Sequence, residues 1–262
     1  MSVRTVGLDV GPEGRTGHGG SPSLAVPDYW WYRVRAELLR TVFEPWVRSP
    51  QWVLDVGSAD GPSVGWLCAR GRKVSIDIDP RGLTANGVCG DALALPFADG
   101  SFDIVAAFDV IEHLAPEALA LGELTRVLRP GGVLLLSVPA YQWAWSDHDV
   151  ANGHHRRYTR PRLTQAVTAT GLDIRRVTYG FAGVFPLFAA ERMASRFRLR
   201  RRGPRGDHTA PADIVTVPTV SPALDRLLCR LSRLDARLLP RIDLPFGSSV
   251  FLAAAKPERT AR

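Results

Sequence analysis

The chain has 262 residues, of which 45% are hydrophobic, and carries a formal charge of +7 with three cysteines. That length and apolar share support one large α/β domain, or a domain with a small appendage, and the composition is that of an ordinary soluble globular protein. Cys68, Cys89 and Cys229 share no close spacing and form an odd set, so neither a disulfide framework nor a zinc motif is implied and a reducing, cytoplasmic setting is expected.

Residues 1–26, rich in Gly, Pro and Ser with little apolar periodicity, read as a flexible leader. No apolar run follows the first residues, so a secretory signal is not expected. Residues 28–47 carry Trp31, Val34, Leu38 and Val42 at helical spacing, with Asp28 as a candidate N-cap and Pro45 near the end.

Strands and helices then alternate. Strands are expected at 52–56, 73–78, 87–90, 103–108 and 133–138, with helices near 62–70 and over 116–128. A polar, aromatic segment runs to Tyr158, followed by a helix opened by Thr159 with Pro161 in its first turn and a strand near 172–179. The longest apolar region, 181–190, is too short to span a bilayer. After it come an Arg-rich linker and a helix over 222–239, in which six leucines alternate with arginines at helical spacing, and then a last strand over 248–255.

This alternation predicts a Rossmann-like, mostly parallel seven-stranded α/β sheet with helices on both faces and an antiparallel last strand. The domain division is a leader at 1–26, a cofactor-binding core at 27–180, a helical insertion at 181–245 serving as lid or acceptor site, and the last strand and tail at 246–262. Ligands of such sheets lie at the carboxyl ends of the strands, near the point where strand order reverses.

Residues 53–61 read Val-Leu-Asp-Val-Gly-Ser-Ala-Asp-Gly: a buried strand breaking into a loop of small residues. Gly57, Ala59 and Gly61 let a ligand approach the backbone, but the spacing is not the Gly-x-Gly-x-x-Gly of dinucleotide enzymes. Asp77 stands where the second strand should end, suited to ribose hydroxyls, and Gly90-Asp91-Ala92 offers a further acid for an adenine amino group.

The ordered set resembles the class I S-adenosylmethionine-dependent methyltransferases. Residues 55–61 are similar to their first motif, with Ala59 in place of the usual central Gly. Residues 76–80 are similar to the second motif, 90–92 with 95–97 to the third, 102–105 with 108–114 to the fourth-strand motif, and 128–132 to the approach to strand five. The resemblance implies S-adenosyl-L-methionine as cofactor, with Gly57, Ser58, Ala59 and Gly61 beneath its methionine part beside Asp55. It implies Asp77 and Ile78 at the ribose, Asp91 and Ala92 at the adenine, and Phe108 at the sulfonium side. Asp109 would stand near the cofactor amino group, and Arg33 or Arg35 on the first helix would pair with its carboxylate; Arg35 is the one assigned.

The segment 143–158 follows the fifth strand and should overhang the methyl group. Its Gly153-His-His-Arg-Arg-Tyr158 run resembles a bacterial small-molecule branch of the same family. His148 and His154 are the candidates for base or acceptor-orienting group, and Trp143, Trp145, Arg156 and Tyr158 for acceptor binding, with Arg156 and Arg157 alternatively pairing with Asp147 and Asp149 to pin the loop. Asp147, His148, Asp149, His154 and His155 match no metal-ligand spacing, so no metal is expected.

The reading is methylation of a small-molecule acceptor, at the oxygen of a secondary metabolite or of a lipid-like or glycan acceptor. The alternatives are an NAD(P)-dependent oxidoreductase, or methyl transfer to a lipid-linked substrate at a membrane surface reached through the 181–245 insertion. The basic run 192–205 reads as a solvated segment; lacking interleaved aromatics, it ranks nucleic acid last among partners.

Overall fold

The computed structural model describes residues 28–47, 49–57, 64–68, 71–80, 83, 87–202 and 220–258. The expected leader and the loop residues Ser58, Ala59 and Gly61 lie outside them.

The apolar run that opens the sheet is β1 (Trp52–Val56), buried from Val53 onward as a strand covered on both faces must be. It pairs in parallel with β2 (Arg72–Asp77) on one side and β4 (Phe102–Phe108) on the other. β3 (Val88–Cys89) extends the sheet beyond β2, and β5 (Leu128–Pro139) beyond β4, both in parallel. β6 (Asp173–Gly180) is reached only through β7 (Ser249–Ala255), which runs antiparallel to both β5 and β6. The order β3-β2-β1-β4-β5-β7-β6 therefore reverses between β1 and β4, and the crevice above their carboxyl ends is the place for a ligand. This is the seven-stranded arrangement expected.

Seven α-helices occur among the described residues: α1 (Trp30–Phe43), α2 (Gly65–Cys68), α3 (Glu117–Val127), α4 (Asp147–Ala151), α5 (Arg160–Thr168), α6 (Phe185–Arg202) and α7 (Pro222–Leu238). α1 buries Val34, Leu38, Leu39, Val42 and Phe43, the stripe its spacing announced, but its N-cap is Tyr29 and not Asp28. α5 starts as expected, with the Thr159 hydroxyl accepting from the Arg162 amide at 3.5 Å and Pro161 in its first turn.

The insertion departs from expectation at the Arg-rich linker. Its first half is no linker, because α6 runs unbroken from the apolar stretch into the arginines as far as Arg202. Arginine is a good helix former, so a run of arginines does not by itself end a helix. α7 lies against α1, where Arg33 Nη2 donates to both Asp225 oxygens (2.9 and 2.7 Å). Asp235, on the same helix, is buried and accepts from the amides of Ala182 (2.6 Å) and Gly183 (3.0 Å). A side chain at Gly183 would strike the Leu231 carbonyl at 2.2 Å, so the backbone contact that seats α7 requires glycine there. Leu228 and Cys229 face inward, while Leu224, Leu227, Leu234 and Leu238 stay exposed. No helix among the described residues is long and apolar enough to cross a membrane.

Candidate active site

Acidic groups collect at the carboxyl ends of β1 to β4. Asp55 is buried within β1, 3.4 Å from Lys73 Nζ. Gly57 follows at φ +69, its amide bonded to the Ile76 carbonyl at 2.8 Å, and a Cβ here would fall 2.4 Å from a Val110 methyl. The turn thus hugs the start of the loop after β4, and only glycine fits both the angle and the gap.

Asp77 closes β2, its Oδ1 accepting from the Asp79 amide at 2.9 Å, and burial pushes its pKa above the ordinary carboxylate value. Asp91 forms a comparable turn, accepting from the Leu93 amide at 2.8 Å, with Ala92 half-buried beside it. Ile78 is 75% exposed on the same edge.

After β4 the chain turns sharply through Asp109, at φ +57. Its carboxylate is held from two sides: Arg35 donates from Nε (2.8 Å) with Nη2 at 2.6 Å, and the Ser137 hydroxyl donates at 3.2 Å. Two residues assigned to the cofactor's amino acid end are therefore bonded to each other, with the Arg35 guanidinium also lying 5.2 Å over the Trp31 ring. The Phe108 ring is buried and stacks on Phe43, centroids 5.6 Å apart, so it is part of the core packing at the end of β4.

The loops after β4 and β5 are tied together. The His155 amide donates to the Glu112 carbonyl at 2.8 Å, and Arg156 Nη1 donates to the carbonyls of Ile111 (3.1 Å) and Leu114 (2.6 Å). Arg156, expected to bind acceptor, is thereby engaged in holding the loop. Arg157 makes the internal pair: Nε and Nη2 reach the two Asp149 oxygens at 2.7 and 3.0 Å. Burial opposes ionisation of Asp149, yet hydrogen bonds from His154 and Arg157 outweigh it and hold its pKa below the usual range. Tyr158, also expected at the acceptor, is wholly enclosed, its backbone bonded to Pro139 and Tyr141. It is a packing residue.

Of the two candidate histidines, His148 is exposed on the short helix α4, whereas His154 is drawn inward by a 2.8 Å contact from Nδ1 to Asp149. The His154 ring meets His113 edge to face, centroids 4.5 Å apart. Burial first, and then the neighbouring His154, lower the His113 pKa to about 4. Glu112, just before it, is fully buried; desolvation, then the charge of Asp109, raises its pKa well above the ordinary value. Sequence reasoning quoted Glu112 and His113 only as part of the fourth-strand motif. Nothing in that motif announces that a histidine from beyond the fifth strand closes on them.

Aromatic rings gather in the segments that follow β5 and β6. Tyr141 stacks on Tyr179 (5.2 Å) and on Trp143 (5.7 Å), and Phe185 joins them to Phe246 (5.4 and 5.7 Å). Trp143 and Phe246 remain 37% and 44% exposed, leaving an open apolar wall. Trp145 caps the turn Gln142–Ala144 next to this group. A separate cleft of about 620 Å³ opens at the amino ends of β4 and β5, but its Arg129 is paired with its Asp103 at 2.9 Å. It lies at the edge opposite the clustered acids, and we place the site with the acids.

The strand order and the acids at the carboxyl edge are those of the Rossmann-like fold of class I methyltransferases. Residues 54–136 match a family model described as a methyltransferase domain. Among its homologues is a probable S-adenosylmethionine-dependent methyltransferase of Mycolicibacterium smegmatis, 30% identical over 171 residues, 61% of this chain and 65% of that protein. The chain spans between 49% and 65% of the length of the curated relatives it matches. Among solved structures, a Haloferax volcanii methyltransferase in complex with the Trm112 activator superposes with a TM-score of 0.55 at 18% identity, covering 92% of this chain and 95% of that one. The [4+2]-cyclase SpnF superposes with a TM-score of 0.54 at 19% identity, covering 93% and 87%. Such likenesses establish the fold, and the fold by itself leaves the chemistry open.

Proposed function

We propose that the protein transfers a methyl group from S-adenosyl-L-methionine to a small-molecule acceptor. The observation that carries this reading is the row of acids on successive strand ends within the methyltransferase domain. Asp77 and Asp91 each commit one oxygen to a turn amide, and in this reading the other oxygen accepts from ribose hydroxyls and from the adenine amino group, with the methionine part following the turn after Gly57. The half-buried Asp109 and the Arg35 paired with it are complementary to an ammonium and a carboxylate on one ligand.

The bound cofactor supplies an electrophilic methyl, displaced in line by the acceptor atom. What the chain contributes is position and dryness, which can lower a barrier by several kcal/mol. The wall of Tyr141, Trp143, Phe185 and Phe246 holds an apolar or aromatic acceptor, and His154, fixed by Asp149, meets its reacting oxygen. His148, exposed on α4, is the weaker candidate for that position. Insertion helices α6 and α7 flank the acceptor side, and cytoplasmic methylation of a small molecule is the setting proposed.

Titration calorimetry with S-adenosylhomocysteine and with NAD tests the reading. Saturable binding of the first and none of the second is expected; folded protein that binds NAD and ignores S-adenosylhomocysteine would overturn it.

A further inference from the structure

The Glu112 carboxylate is fully buried, and neither of its oxygens finds a hydrogen-bond partner on another residue among those described. Burying such a group without a partner costs several kcal/mol, and an orphan of this kind points to something that satisfies it. What faces it is specific. One oxygen of Glu112, one nitrogen of His113 and one of His154 lie within 4.8 Å of one another.

We propose that Glu112, His113 and His154 bind a single divalent transition-metal ion beside the methyl-transfer site, leaving open coordination positions for oxygen atoms of the acceptor. Three donors held about 2.0–2.2 Å from a common ion lie roughly 3–4 Å from one another, so an inward movement of at most about 1 Å closes this set on a metal. Two imidazoles and one carboxylate suit manganese, iron, cobalt or zinc better than magnesium, which prefers oxygen donors throughout.

The surroundings match what a metal-binding histidine needs. Each imidazole has an outer partner that fixes ring and tautomer: the Asp149 carboxylate for Nδ1 of His154, leaving Nε2 for the ion, and the Asn152 carbonyl for the His113 ring. Asp149 is itself clamped by Arg157 and by the Ser146 amide at 2.9 Å. The tie from the His155 amide to the Glu112 carbonyl fixes the two loops against each other, so the three donors are positioned in advance. In the reaction His154 would meet the oxygen of a hydroxylated acceptor through the ion it holds, not directly; that role rests on the methyltransferase reading, whereas metal binding itself does not.

The test is titration of the full-length, chelator-stripped protein with Co²⁺, followed by calorimetry and by the visible absorption of the bound ion. One equivalent per chain is expected, with affinity falling at least about 100-fold in E112Q and in H154A, about 10- to 100-fold in D149N, and unchanged in H155A. Circular dichroism melting establishes that each variant is folded, and E112Q, which keeps the size of the side chain but cannot ionise to hold the ion, keeps the test valid if H154A does not fold. Wild-type protein without saturable Co²⁺ binding, or E112Q with wild-type affinity, overturns the proposal. S-adenosylhomocysteine titrated into the same samples separates the two readings: binding of it without Co²⁺ removes the metal site alone, and Co²⁺ without it removes the methyltransferase reading alone.

Discussion

Arg157 grips Asp149 through two nitrogens, Nε at 2.7 Å and Nη2 at 3.0 Å, where the Asp149 side chain has no solvent exposure and the Arg157 side chain has 5%. The pair lies at the base of the loop that carries His154, so its integrity decides where that ring sits. Removing one partner strands the other as a buried charge. We expect R157M to lose about 3–5 kcal/mol of stability in urea unfolding, and the double variant R157M/D149L to lose less than the two single changes added together. A strictly additive double variant would show that the two groups are not coupled.

Asp77→Ala should weaken S-adenosylhomocysteine by at least about tenfold, the effect of losing one to two hydrogen bonds to an ionised acceptor, with no change in melting temperature beyond a few degrees. Calorimetry on the variant measures the first and a thermal scan the second. Wild-type affinity in Asp77→Ala would remove the ribose role from this residue.

Gly57→Ala combines a positive φ with a Cβ placed 2.4 Å from a Val110 methyl. A cost of about 1–3 kcal/mol is expected from backbone strain and overpacking. The paired change G57A/V110A relieves the clash but not the angle, so unfolding curves of the three proteins should rank wild type, then the double variant, then G57A.

Asp103 gives the chain a pH dependence away from the site. Desolvation opposes its ionisation, but hydrogen bonds from the Trp52 amide and Arg129 prevail and hold its pKa below 3.8. A carboxylate depressed in the folded state adds stability above its unfolded pKa, and that stability fades as pH falls through the folded value. D103N should therefore be about 1 kcal/mol less stable than wild type at pH 7, with the gap closing below about pH 4. A gap that stays constant down to pH 2.5 would falsify this assignment.

The strand-end acids are legible in the sequence because their signals are local. A buried strand followed by an acid repeats at Asp55, Asp77 and Asp109, and each is fixed by the few residues around it. The acceptor side depends on contacts between distant segments. Arg35 and Asp109 are expected at one end of the cofactor, but only their meeting between α1 and the turn after β4 shows that they bind each other. Glu112 and His113 gain their meaning from His154, brought over by a backbone bond between loops that no spacing encodes. Tyr158 was misread for a related reason: its neighbours in sequence line a functional loop, while its own ring is enclosed.

The placement of β7 between β5 and β6 has a consequence for how the protein is made. Among the described residues β6 has no ladder partner other than β7, which is buried along its whole length and emerges from the ribosome only after the insertion. The parallel half of the sheet can form during synthesis, but the other half must wait with an unpaired edge until the insertion has been threaded aside. Newly made chains thus pass through a stage in which the parallel part of the sheet is complete and β5 and β6 are still open to chaperones or to a strand from another chain.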